Sequence, residues 1–228
     1  DGTIEFKDVH FGYNEKPVLK GISFKVQGGT TTAIVGKSGG GKTTLTRLIA
    51  RHYDVDQGSI LIDGIDVRHV KQKDLRKSIS IVPQVAWLLW TTIACNIQYG
   101  SASTHMSATP EEVQEAARKA QIHDKITSLP DGYDTQYFYC FGFSGGEKQR
   151  INIARGLVSP SKILLLDEAT SSLDMITERK VQEAIKSGTQ GRTCVVIAHR
   201  LSTIIYADQI LVVQDGEIAE RGTFGELV

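Results

Sequence analysis

The sequence predicts an α/β fold with a P-loop core, an N-terminal antiparallel β subdomain and an inserted α-helical subdomain. Three observations carry this. Gly36-Lys37-Ser38-Gly39-Gly40-Gly41-Lys42-Thr43 fits the pattern G-x-x-x-x-G-K-[ST], between the apolar run Thr31 to Val35 and the helix-spaced Leu45, Leu48 and Ile49. A second apolar run, Lys162 to Leu166, delivers Asp167 and Glu168 at its C-terminal end. Between the two, residues from about 86 to 160 read as helices and turns.

Taken in order, Ile4 to Phe11 alternates and then shifts phase after Phe6, a strand with a bulge. Gly12-Tyr13-Asn14 ends it, leaving Tyr13 a lone aromatic just past a strand, for which packing at the solvent edge is the plain reading. Ile22 to Val26 is a second strand, and Gln27-Gly28-Gly29 turns into the P-loop strand. Ser59 to Gly64 and Ser80 to Gln84 read as strands flanking a charged helix, Lys71 to Lys77. Thr109-Pro110-Glu111-Glu112 is a capping box with proline at the first helical position, opening a helix through Ala120. A short helix near 122–128 ends at the turn Leu129-Pro130-Asp131-Gly132. Ser144 and Glu147 form a second capping box ahead of Ile151, Ile153, Ala154 and Leu157. Leu173-Asp174 opens a helix through Ile185, Thr193 to Ala198 is a core strand, and residues 209–220 close the chain as a hairpin around Asp215-Gly216.

At 228 residues the chain is read as a single domain over 1–228, with the helical subdomain at about 86–160. Hydrophobic content of 40% and charged content of 23% are those of a soluble globular protein. A net charge of +0 gives no electrostatic case for nucleic acid or an anionic membrane surface. No apolar run reaches the roughly 18–20 residues of a membrane span. The opening Asp1-Gly2, followed by an alternating strand, is read as lacking a signal peptide. Cys95, Cys140 and Cys194 have no metal-type spacing, and their odd count fits a reducing compartment, with Cys194 a small core residue.

The chemistry gathers at the ends of strands. Glycines let consecutive N–H groups approach a phosphate, and the following helix adds its positive end. Lys42 is placed to reach β- and γ-phosphates and the Thr43 hydroxyl to ligate Mg²⁺. A glycine-rich αβ turn is the plain alternative; the flanks and the Lys-Thr pair favour the phosphate loop. Asp167 at a strand end is the Walker B arrangement for Mg²⁺, and Glu168 is placed to orient or deprotonate a water; a helix cap is the alternative. Ser144-Gly145-Gly146 exposes N–H groups at a helix start, an anion site as well as a cap. Gln84 lies on a loop at a strand's end, the sheet edge where α/β folds bind ligands, or is merely a surface glutamine. His199 ends an apolar strand and is a candidate γ-phosphate contact, or structural.

Together these residues resemble the ATP-binding domain of ABC transporters over nearly the whole chain. Ser144-Gly145-Gly146-Glu147-Lys148-Gln149-Arg150 is similar to the family signature, which ordinary P-loop proteins lack. Asp167-Glu168-Ala169-Thr170-Ser171-Ser172-Leu173-Asp174 resembles Walker B running into the D-loop, Ile197-Ala198-His199-Arg200-Leu201-Ser202 the switch-histidine segment, and Val82-Pro83-Gln84 the Q-loop. The details look most like half-size exporters, a branch that includes mitochondrial and heavy-metal exporters. The resemblance implies a P-loop NTPase core, ATP and Mg²⁺ as ligands, and hydrolysis to ADP and phosphate. It implies that Tyr13 stacks on adenine, and that Gly36, Ser38, Gly39, Gly40, Gly41, Lys42, Thr43 and Thr44 hold the phosphates and Mg²⁺. It implies that Gln84 contacts Mg²⁺ and senses the γ-phosphate, Asp167 supports Mg²⁺, Glu168 is the base and His199 contacts the γ-phosphate. Ser144, Gly145 and Gly146 would act in trans on ATP held by a second copy, with Asp174 in the nucleotide-binding set. The implied partners are that second copy, in a head-to-tail dimer, and an exporter's transmembrane domain. The implied location is membrane-associated through that domain, on the cytoplasmic or mitochondrial matrix face, with this domain soluble by itself.

Two stretches depart from the family pattern: Val85-Ala86-Trp87-Leu88-Leu89-Trp90 after Gln84, and Tyr137-Phe138-Tyr139-Cys140-Phe141-Gly142-Phe143 before the signature serine. Cys95 stands where a glutamate is usual, and Gly40 where Ser or Ala is common. One reading is an altered docking surface, natural or engineered, built from aromatic anchors; the other is local repacking, with the two stretches burying each other. Beside the ATPase reading stand a nucleotide-dependent dimerising module with little turnover, through a misplaced Ser144, and an engineered scaffold whose aromatic patch binds a new partner.

Overall fold

β1 (Ile4–Tyr13) and β2 (Lys16–Val26) form an antiparallel hairpin turned by Asn14 and Glu15, both left-handed at φ 47° and 64°. Paired left-handed residues are what a two-residue hairpin turn requires. The phase shift after Phe6 is a bulge: the register slips between Phe6 and Val9, and Asp8 is left-handed at φ 47°. It keeps Ile4, Phe6, Val9 and Phe11 all buried. Both strands exceed their predicted lengths. Glycine and proline near the turn break the local pattern, and cross-strand pairing extends β1 to Tyr13 and begins β2 at Lys16.

The chain continues through β3 (Thr31–Gly36), α1 (Lys42–Ile49), β4 (Gln57–Ile62), β5 (Ile65–Asp66), α2 (Gln72–Ser78) and β6 (Ile79–Val82). Then come α3 (Ile93–Gln98), α4 (Pro110–Lys119), α5 (His123–Thr127) and α6 (Gly145–Val158). It closes with β7 (Ile163–Asp167), α7 (Met175–Gly188), β8 (Thr193–Ile197), α8 (Leu201–Ile204), β9 (Gln209–Gln214), β10 (Glu217–Gly222) and α9 (Phe224–Leu227). The structure, a computed structural model, describes residues 1–101, 107–139, 142–170, 173–188, 191–198 and 200–228.

The chain divides into two units. The first comprises Asp1–Ile79, Lys162–Glu168 and Gly191–Val228; the second comprises Ser80–Ser161 and Ala169–Gln190. In the first unit, one sheet is antiparallel in the order β2-β1-β4-β5. The other runs β10-β9-β3-β8-β7, with β3 parallel to β8 and β9, and β7 parallel to β8. β7 and β8 are buried at every position, as expected for parallel strands whose apolar runs do not alternate. β9 and β10 are the predicted hairpin, turned by Asp215 and Gly216 at φ 50° and 86°.

The predicted insertion, about 86–160, lies within the second unit, which also holds α7. Its helices have the predicted caps: both capping boxes, Thr109 with Glu112 and Ser144 with Glu147, are formed. α3 has no counterpart in the sequence reading. Thr92 caps it, and buried Asn96 ties it back to the Leu89 backbone at 2.7 and 3.0 Å. Among the described residues no helix is long and apolar enough to cross a membrane.

Candidate functional site

β3 ends at Gly36, where φ is 146° and a Cβ would collide with the Val213 carbonyl of neighbouring β9. Only glycine lets the loop leave the sheet there. Ser38 and Gly39 are exposed, and the Gly40 N–H closes the turn on the Lys37 carbonyl at 3.2 Å. Gly41 is the left-handed N-cap of α1 and supplies no side-chain cap. The helix start therefore presents N–H groups that a phosphate can satisfy. Lys42 is only 5% exposed, and its Nζ donates to the carbonyls of Gly36 and Lys37 at 2.8 Å each. Burial lowers its pKa, while the nearby charges of Glu168 and Asp167 pull it back up.

β7 carries Asp167 into the same place. Thr43 Oγ1 donates to Asp167 Oδ1 at 3.2 Å, joining two of the three residues assigned to Mg²⁺. Burial raises the Asp167 pKa; the Thr43 bond opposes this and the negative charge of Glu168 adds to it. Glu168 is left-handed at φ 48°, held by its N–H on the Ile197 carbonyl at 3.2 Å. A glutamate in that conformation is strained by about 1 kcal/mol or more.

Tyr13 is the last residue of β1 and is not alone. Its ring meets Phe11 edge-on at 4.9 Å and Tyr53 edge-on at 5.2 Å. Its hydroxyl lies 3.5 Å from Thr44 Oγ1 and accepts from Arg47 Nη1 at 3.3 Å. The first unit thus joins Tyr13, the phosphate loop, Asp167 and Glu168. Arg47 and Tyr53 escaped the sequence reading. Arg47 sits one helical turn after Thr43, a spacing that could have flagged it; nothing local marks Tyr53.

The second unit holds the other candidates. Gln84 is exposed, one residue past Pro83, whose carbonyl accepts from Gln149 Nε2 at 2.9 Å. Ser144 caps α6, accepting from the Glu147 N–H at 3.2 Å while the Glu147 carboxylate accepts from the Ser144 N–H at 2.7 Å. A Cβ added at Gly145 would meet nothing within 4 Å, so nothing among the described residues requires glycine there. Asp174 stands at the start of α7, accepting from the Thr177 N–H at 3.0 Å. His199 lies outside the described residues. Among those residues, no group of three or more His, Cys, Asp or Glu could hold a metal.

The two aromatic stretches lie side by side, joined by the bond from the Tyr137 N–H to the Thr91 carbonyl at 2.9 Å. Trp90 meets Phe138 at 5.4 Å, yet Trp87, Trp90 and Phe138 remain 55%, 80% and 50% exposed. Among the described residues of the two stretches, Leu88 and Phe143 are buried. Of the described aromatics, Trp90 and Phe138 thus touch without burying each other; Cys140 and Phe141 lie outside the described residues. With Phe143 buried and the Ser144 cap intact, the proposed misplacement of Ser144 finds no support.

Residues 19–171 match the family model described as ABC transporter. The chain is 50% identical over 230 residues to "Iron-sulfur clusters transporter ABCB7, mitochondrial" of Oryzias latipes, covering 100% of this chain and 30% of that protein. It is 48% identical over 229 residues to "Heavy metal tolerance protein" of Schizosaccharomyces pombe, covering 100% of this chain and 27% of that one. A solved structure of a bacterial Atm1-family ABC exporter with ATP bound superposes with a TM-score of 0.92 at 46% identity, over 99% of this chain and 39% of that chain. The chain thus spans about a third of the length of these proteins.

Proposed function

The chain belongs to the ABC transporter family, as an exporter-type ATPase domain, and from that premise we propose that it binds Mg·ATP on the loop from Gly36 to Thr44 and hydrolyses it as a head-to-tail dimer. The observation that carries this is the meeting of Lys42, Thr43, Asp167 and Glu168 at the ends of adjacent elements in one unit. The donor set fits Mg²⁺: a hydroxyl and a carboxylate are hard oxygen ligands, too few for a protein-only cage but enough when phosphate oxygens complete the shell. When bound, the ion neutralises charge on the β- and γ-phosphates.

Lys42 exchanges the Gly36 and Lys37 carbonyls for phosphate oxygens, and the α1 start binds phosphate through its N–H groups. Tyr13 stacks on adenine. Glu168 orients a water whose oxygen attacks the γ-phosphorus; the bond to the β-phosphate oxygen breaks, and Glu168 takes the water proton. Gln84 and His199 contact the γ-phosphate side. Ser144, Gly145 and Gly146, with Asp174, serve the ATP of the second copy. ATP then favours the dimer, and hydrolysis releases it, a ligand-driven shift of population.

In its full-length setting the domain powers export through a transmembrane domain, which places it at a membrane on the cytoplasmic or matrix side. Relatives named for iron-sulfur clusters and for heavy metals match almost equally well, at 50% and 48% identity, so the cargo is chosen elsewhere. The test is steady-state ATPase rate against protein concentration, with Glu168→Gln alongside. The rate per chain should rise with concentration, and the variant should lose about 100-fold or more, the usual contribution of a general base, while still binding ATP. Binding without turnover in the unmutated chain would leave only the dimerising-module reading.

A further inference from the structure

α6 holds the stretch around Gln84 at three places. Ser80 Oγ donates to the Gly156 carbonyl at 3.4 Å, Gln149 Nε2 donates to the Pro83 carbonyl at 2.9 Å, and Arg155 Nη1 donates to the Trp87 carbonyl at 3.1 Å. The middle tie sits immediately before Gln84. Gln149 is 1% exposed, and its Oε1 has no hydrogen-bond partner among the described residues. A side chain kept only to fill space would avoid an unsatisfied buried acceptor, which an apolar residue of the same length lacks. What the amide supplies is its donor, whose one hydrogen bond among the described residues is to the Pro83 carbonyl.

We propose that Gln149 is a positioning residue that joins the Pro83-Gln84 turn to the N-terminus of α6, so that γ-phosphate sensing at one site and presentation of Ser144, Gly145 and Gly146 to the neighbouring site move together. This rests on the roles given above to Gln84 and to the signature segment. The physical basis is that the Gln149 side chain is shut off from water, so if the Pro83 carbonyl moves away its donor is left costly and unmet; following the carbonyl costs less than losing it. Gln149 lies on the second turn of a 14-residue helix whose start is locked by the reciprocal bonds of Ser144 and Glu147. A shift at Pro83 thus reaches Ser144 through less than two turns of helix.

The test uses two variants in the intact chain. Gln149→Met keeps length and burial but removes the donor. Its heat-unfolding midpoint should stay close to that of the parent and KM for ATP should hold, while kcat falls about tenfold, the scale of one lost hydrogen bond. Gln149→Glu places an acceptor against the Pro83 carbonyl when ionised and restores a donor when protonated. The ratio of its kcat to the parent's should therefore rise as pH falls from about 8 to 6, since burial raises a carboxyl pKa into that range. A structural defect alone would not give that profile, and this second variant decides if the first fails to fold. A kcat within twofold of the parent for Gln149→Met, or a flat ratio for Gln149→Glu, overturns the inference while leaving the ATPase reading standing. Absence of turnover in the parent overturns that reading, and this one with it.

Discussion

The Lys42 ammonium donates to two carbonyls of its own loop, so on the proposed reading nucleotide binding is an exchange of partners rather than the filling of an unmet need. Because burial lowers its pKa, the charged form is less favoured in the folded chain than in the unfolded one. The stability this withholds is regained only as pH rises through the lowered value. Replacing Lys42 by Met should therefore leave the unfolding midpoint of the nucleotide-free protein no lower than the parent's. ATP affinity should nonetheless fall about 100-fold, the scale of lost charge-assisted phosphate bonds. Equilibrium dialysis beside a thermal melt checks both; a melt many degrees lower would contradict the account. Asp167 shifts the other way for a carboxylate. Its pKa is raised, chiefly by burial, so it protonates at a higher pH than a free aspartate. Mg²⁺-dependent ATP binding should weaken correspondingly early on acidification, measured as Kd against pH.

Among the elements, α6 starts from a capping box made by Ser144 and Glu147. For Glu147, burial alone would raise the pKa, but the hydrogen bonds with Ser144 and the charges of Lys125 and Arg150 outweigh it and the net shift is down. A lowered carboxylate pKa contributes stability above its unfolded value and loses it as pH falls through the folded one. Ser144→Ala should cost about 1 kcal/mol at neutral pH, and the difference from the parent should shrink in acid as Glu147 protonates. Urea unfolding at several pH values reads this directly; a pH-independent difference would mean that the Ser144 hydroxyl does not act through the Glu147 charge, since the bond from the Ser144 N–H to the Glu147 carboxylate survives the substitution. The box was legible in sequence because both members lie within four residues of each other. The β1–β2 turn was not: Asn14-Glu15 is left-handed at both positions without the glycine that usually announces such a turn.

At the scale of the whole molecule, the two tryptophans stand out, since both are in the second unit and both are more than half exposed. Trp90 lies beside Phe138, and this exposed aromatic pair is of the kind that promotes association. Trp90→Ser should lower concentration-dependent light scattering at high salt and leave turnover per chain at low concentration unchanged; equal scattering would mean that the surface is inert. The two described thiols behave differently: Cys95 is exposed, whereas burial pushes Cys194 up to about 12 and leaves it an inert core residue; Cys140 lies outside the described residues.

Short-range patterns decided a great deal. The glycine loop between strand and helix, the carboxylates ending an apolar strand, the capping boxes and the broken alternation after Phe6 are all written within ten residues, where covalent geometry and hydrogen bonding act locally. The family signature added the rest of the site by resemblance. What the sequence could not supply was which distant side chains complete each local feature. Arg47 and Tyr53 gather at Tyr13, Thr43 bonds Asp167 across 124 positions, and Gln149 reaches Pro83 across 66. Such contacts are made only when strands and helices pack, because burial, not sequence distance, brings these groups together and makes each hydrogen bond costly to leave unmade.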